Sequence, residues 1–77
     1  MKITLEYVAT LKLSGPSSGD EIDIPDGMTI TELFSQLGIR AMHQRVLIPF
    51  INEKKVHRDT TLREGDHLFI GMPVGGG

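Results

Sequence analysis

The chain has 77 residues, 39% of them hydrophobic and 23% charged, with a net charge of −2 and no cysteine. That describes one domain near the lower size limit for a core without staples, and it excludes disulfides, thiolate metal sites and side-chain thiol chemistry. It also argues against a nucleic-acid binder, because the basic residues form no run, and against a membrane span, because no apolar stretch approaches roughly 20 residues.

The opening segment, Lys2–Val8, alternates Ile3, Leu5 and Tyr7 with Lys2, Thr4 and Glu6, the period of a half-buried strand. It is not the apolar core of an export signal, so cytoplasm is the expected compartment. Residues 13–20, LSGPSSGD, read as a loop. A second alternation, Glu21-Ile22-Asp23-Ile24, stops at Pro25 and is expected to pair antiparallel with the first strand. Its acids suit a solvated sheet edge. In TITELFSQLG, Thr29 and Glu32 have capping-box spacing, and Ile30, Leu33, Phe34 and Leu37 form one apolar stripe. Gly38 is placed to end this helix, the one convincing helix in the chain.

After a connector, IRAMHQ, residues 45–52 read RVLIPFIN, apolar on both alternating rows. Pro49 cannot donate to a ladder, which points to an edge strand or a bulge. Either Val46, Ile48 and Phe50 or Leu47, Pro49 and Ile51 face away from the helix, and unless loops cover it that row is a partner surface. A turn is expected near Asn52, at most one short strand near Val56, a turn at Glu64-Gly65-Asp66, and a last strand, His67–Met72. One sheet of four to five strands packed by one main helix, an α+β domain over residues 1–77, is the economical architecture.

Side-chain chemistry is sparse. His43, His57 and His67 are scattered and lack the convergence a zinc site requires. Ser14, Ser17 and Ser18 have no nucleophile elbow around them and read as linker residues. Asp20, Glu21, Asp23 and Asp26 lack the spacing of a calcium loop. No metal site and no bound cofactor are expected. The terminus differs: the last strand leads without a spacer into Pro73-Val74-Gly75-Gly76-Gly77. At average glycine usage, a Gly-Gly end arises by chance about once in 200 chains. Pro73 holds the first step of this flexible tail, residues 73–77, extended. Gly75 and Gly76, without Cβ atoms, can enter a slot too narrow for other residues. The group such a slot reaches is the Gly77 carboxylate. Adenylation by ATP makes that carboxylate reactive, and attack by sulfide sulfur then leaves a thiocarboxylate.

The stretch FINEKKVHRDTTLREGDHLFIGMPVGGG resembles the C-terminal half of the molybdopterin synthase small subunit and the thiamine sulfur carriers, the MoaD/ThiS-type family. Asn52, Leu62, Gly65-Asp66, Leu68-Phe69-Ile70 and Gly76-Gly77 carry the resemblance. YVATLKLSG and IPDGMTITELFSQLG agree more loosely with the family's first strand, loop and helix. The resemblance implies a ubiquitin-like β-grasp fold and a carrier that is not itself an enzyme. It implies activation of Gly77 by an E1-like adenylating enzyme using ATP and magnesium. It further implies delivery of sulfur by the tail to a large synthase subunit or another acceptor enzyme, with Phe69, Met72, Pro73 and Val74 at the partner surface. Two departures touch that surface. Met72-Pro73-Val74 stands where Pro-Pro-Val is usual, and Pro49-Phe50 is bulkier than the small apolar residues common there. Length and the long first loop favour the molybdopterin branch. A carrier for thiamine thiazole or another pathway, or a protein modifier, is the alternative.

Overall fold

The computed structural model describes residues 1–73, so Val74, Gly75, Gly76 and Gly77 lie outside the described residues. Strand β1 (Lys2–Tyr7) pairs antiparallel with β2 (Asp20–Asp23), Ile3 opposite Ile22. It pairs in parallel with β5 (His67–Gly71), Leu5 opposite Leu68. On the far side of β5 lies β3 (Ile48–Ile51), antiparallel, and outside it the two-residue β4 (Lys54–Lys55). The mixed sheet therefore runs β2-β1-β5-β3-β4. Helix α1 (Ile30–Gln36) lies across one face. Its buried Ile30, Leu33 and Phe34 share one core cluster with Ile3, Leu5, Leu68 and Ile70 of the sheet.

The ends of α1 follow the expected chemistry. Thr29 Oγ1 accepts from the Glu32 amide at 3.2 Å and the Glu32 carboxylate accepts from the Thr29 amide at 2.8 Å, the reciprocal capping box. At the other end Gly38, at φ +82°, donates to the Ser35 carbonyl while Ile39 donates to that of Phe34. Together these two bonds make the glycine-dependent Schellman stop. The loop after β4 serves the helix start: the Ile30 and Thr31 amides donate to the Thr60 and Arg58 carbonyls.

Four readings change. A second helix, α2 (Ala41–Gln44), occupies the connector after α1. One turn is too short to show a 3.6-residue period. The strand expected from residue 45 begins only at Ile48, because Arg45 caps α2 and the Val46 and Leu47 amides still reach back to the His43 and Gln44 carbonyls. Pro49 is not on the edge strand. The Asn52 amide donates to the His67 carbonyl, so by alternation Pro49 turns its backbone away from β5, whose ladder loses no donor, and its carbonyl accepts from the Val56 amide. Finally, loop 13–20 is no loose linker. The Gly19 amide donates to the Leu5 carbonyl at 2.7 Å, Tyr7 Oη donates to the Pro16 carbonyl at 2.7 Å, and Ser18 Oγ bonds both the amide and carbonyl of Tyr7.

The two rows of residues 45–52 are now distinguished. Leu47 and Pro49 are buried on the α1 side, with Ile51 packed against the core cluster. Ile48 and Phe50 face the other way, half-buried on the side of the sheet that α1 does not cover.

Candidate functional site

The final strand is the element that leads to the tail. It is held on both flanks: Glu6 and Tyr7 of β1 lie opposite Phe69 and Ile70, and Ile48 and Phe50 of β3 opposite Gly71 and Phe69. The Val8 amide donates to the Ile70 carbonyl at 3.2 Å, extending the grip by one residue. Met72 is the first residue beyond the sheet, and Pro73 beyond it is exposed. A strand bonded on both sides fixes where the following residues start, which a frayed edge would not do.

Strand alternation divides the residues expected at the partner surface. Phe69 stands on the uncovered face, its ring centroid 6.1 Å from that of Phe50 and tilted by 54°. Gly71 follows on that face, and a Cβ there would lie 3.4 Å from the Phe69 ring edge and 3.5 Å from that of Phe50. A Cβ there would be in ordinary van der Waals contact with both aromatic edges, so a methyl fits and only a longer side chain would have to displace them. Around the pair is an open concavity of 650 Å³ lined by Glu6, Phe50, Asn52, Glu53, His67 and Phe69. The His67 imidazole and Glu6 carboxylate pair across this face. It is thus an apolar centre with carboxylates at its margin, the arrangement of a transient protein contact.

Met72 turns to another surface. Its Sδ accepts from Thr10 Oγ1 at 3.6 Å, and it lines a separate concavity of 360 Å³ with Leu11, Ile39, Val46 and Leu47. Val74 and the three glycines Gly75, Gly76 and Gly77, on which the sequence reading placed the reactive group, fall outside the described residues.

Asn52 acts structurally. With Glu53 it forms the two-residue turn between β3 and β4, at φ +49° and +72°. Its side-chain Oδ1 accepts from the His67 amide at 3.1 Å while its own amide donates to the His67 carbonyl at 3.0 Å. The asparagine thereby ties the hairpin to the start of the tail-bearing strand. Gly65, at φ +82°, and Asp66, whose carboxylate accepts from the Arg63 amide, shape the turn before it. Leu62, 2% exposed, plugs the core beneath. The motif that carried the resemblance is thus the set of residues that builds and aims β5. Phe50 belongs to one of the two apolar rows that the sequence offers as a partner surface, and the structure turns that row to the uncovered face, whereas His67 escaped the sequence reading as a site residue, with no pattern around it to mark it.

The model of the ThiS family matches residues 6–77. This chain belongs to the ThiS family. The match runs through the tail and takes in every residue that shapes it. ThiS-family proteins are ubiquitin-like sulfur carriers, generally non-catalytic, that work with E1-like activating enzymes and acceptor enzymes. Among solved structures, the chain is similar to that of SAMP1 from Haloferax volcanii, with a TM-score of 0.70 and 20% identity over 100% of both chains. That likeness speaks for the fold, which is the ubiquitin-like β-grasp. No curated protein matches significantly. Among the described residues no three His, Cys, Asp or Glu side chains come together as metal ligands, and no helix is long and apolar enough to cross a membrane.

Proposed function

We propose that this ThiS-family chain carries sulfur on the carboxyl carbon of Gly77. The carboxylate attacks the α-phosphorus of ATP in an E1-like enzyme, releasing pyrophosphate and forming an acyl adenylate. Sulfide then attacks the acyl carbon, the C–O bond to AMP breaks, and AMP leaves with the thiocarboxylate formed and one proton released. Magnesium and ATP belong to that enzyme. The chain itself contributes the tail, with Gly75 and Gly76 threading the narrow slot, and the surfaces that dock it. The observation carrying this reading is the family match extending through residue 77, on a strand gripped from both sides. Phe69 on the uncovered face and Met72, Pro73 and Val74 at the strand's exit are the proposed partner contacts.

The acceptor we assign is the large subunit of molybdopterin synthase, on the strength of the long loop between β1 and β2. The name of the matched family gives a specific reason for a second reading, in which a thiazole synthase of thiamine biosynthesis is the acceptor. Incubation with the adenylating enzyme, ATP, magnesium and a sulfur source should exchange one oxygen for sulfur at Gly77, read by intact mass. An unchanged mass, with the enzyme active on another carrier, would refute the proposal. The loaded chain, offered to each acceptor enzyme in turn, should transfer sulfur to the molybdopterin enzyme and not to the thiazole enzyme. Higher-mass adducts on protein lysines would instead identify a modifier.

A further inference from the structure

The concavity beside Met72 has a composition that the fold does not require. Its lining includes Lys12, Arg40 and His43 around Val46, Leu47 and Met72, with no acidic side chain among the lining residues. The chain as a whole carries −2, yet none of its ten acids lines this groove. Lys12 and Arg40 take part in no ion pair among the described residues. Among the described residues three large hydrophobic side chains stand exposed, Met42 at 67%, Val46 at 48% and Met72 at 37%, and the last two line this groove. Cations far apart in sequence thus converge on an apolar floor where the chain leaves the sheet.

The platform is also held firmly. Gln44 of α2 is 4% exposed, the one buried polar side chain among the described residues, and its Nε2 donates to the Ile39 carbonyl at 2.9 Å and to Ser35 Oγ at 3.2 Å. These bonds fix α2 against α1 while Met42, His43 and Arg40 remain exposed. A one-turn helix anchored by a buried amide, with apolar and cationic groups on its free side, is an arrangement for presenting a surface.

We infer that this groove is a second docking site, distinct from the Phe50–Phe69 face. Its occupant is a carboxylate-bearing, apolar-centred lip on the activating enzyme, beside the slot that receives the tail. The inference rests on the proposed activation of Gly77 and adds the chemistry of the partner's surface. Charge complementarity selects the acidic rim, and the exposed Met72 and Val46 select a protein over a phosphate backbone, which would match cations alone. Position selects an enzyme that receives the tail, because Met72 is both part of the groove and the first residue of the tail's root, and activation is the step that every proposed fate of the tail shares.

The test compares single substitutions in the full chain, two of them charge reversals of equal size. Arg40→Glu should lower kcat/KM for ATP-dependent activation about 5–10-fold at low salt, through KM and with kcat unchanged, and the loss should shrink as salt rises. Val46→Asp should give at least as large a loss, of which salt relieves only the part due to charge. Lys54→Glu, on the edge strand β4 and outside the groove, should change kcat/KM less than about 2-fold. Circular dichroism and melting show whether each variant is folded, and Arg40→Ala, which removes charge without adding a carboxylate, repeats the comparison where reversal disturbs folding. Wild-type activation with Arg40→Glu and Val46→Asp both unimpaired would overturn this inference alone. Failure of the wild-type chain to be activated would overturn the proposed function and this inference together. Tight binding of labelled oligouridine that Arg40→Glu abolishes would assign the groove to nucleic acid and overturn the protein partner.

Discussion

Replacing Gln44 by Leu keeps nearly the same volume and removes the amide. The substitution leaves helix propensity intact, since both residues favour helix to about the same degree. It removes the Nε2 donor from the Ile39 carbonyl at 2.9 Å and from Ser35 Oγ at 3.2 Å. Ser35 is exposed and can bond water instead. The Ile39 carbonyl sits under α2 at the Schellman stop of α1, and leaving such an acceptor unpaired costs about 1–3 kcal/mol, so we take about 1.5 kcal/mol net. For a domain of this size each kcal/mol moves Tm by about 4–8 °C, so Gln44→Leu should melt roughly 6–12 °C lower. Ser35→Ala should cost less than about 0.5 kcal/mol, and in the double variant it should add little. Native-state hydrogen exchange supplies the local readout: the amides of His43 and Gln44, both bonded to the Arg40 carbonyl, should exchange faster in Gln44→Leu, while those of β1 and β5 follow global stability. A Tm equal to or above wild type, with α2 protection intact, would refute the view that this amide pins the second helix.

Glu53 lies at φ +72° in the second position of the turn between β3 and β4, where a side chain costs about 1–2 kcal/mol. Glu53→Gly should therefore raise stability by about 0.5–1 kcal/mol after the glycine's greater unfolded-state freedom is counted, measured by urea titration; a fall in midpoint would contradict the strain argument. Phe69→Ala removes one half of the aromatic pair on the uncovered face, and if that face docks the activating enzyme it should lower kcat/KM for activation about 10-fold or more, with the protein still folded by circular dichroism. Unchanged kinetics would remove this face from the partner surface. Appending one residue after Gly77 would move the carboxylate by about 3.5 Å and should abolish activation with Tm unchanged, as intact mass and a melt together report. Normal activation of the extended chain would refute the role given to Gly77.

The elements that a local pattern specifies were readable: the capping box of α1, its apolar stripe, the Gly38 stop and the alternation of β1 depend on near neighbours alone. What escaped depends on partners distant in sequence. Residues 45–52 are apolar on both rows, and the inner row is decided by register with β5, where Ile70 and Leu68 face the helix opposite Pro49 and Ile51. Helix α2 is invisible to periodicity, and its anchor is a glutamine, a residue type ordinarily assigned to the surface. Lys12 and Arg40 are 28 positions apart, so no run of charge announces the groove they share. The family's sequence motif, by contrast, was legible. Its residues act through short-range turns: Asn52 and Glu53 at φ +49° and +72°, and Gly65 at +82°.

The division of surfaces bears on how a carrier could use one tail with more than one enzyme. The Phe50–Phe69 face offers an apolar centre edged by Glu6 and Glu53, whereas the groove at Met72 offers an apolar floor edged by Lys12, Arg40 and His43. Opposite margins ask for opposite partners' charges. A single exposed ion pair contributes only about 0–1 kcal/mol, so neither rim alone would hold a partner. Engaged together, the two sites would act as linked weak contacts, each raising the effective concentration for the other. On the proposed reading an activating enzyme that meets both would also orient the tail's root, since β5 carries Phe69 on one surface and leads to Met72 on the other. An acceptor enzyme that meets only the aromatic face would bind the same strand yet leave the groove free. The salt dependence of activation and of sulfur delivery should then differ, with activation the more sensitive of the two steps.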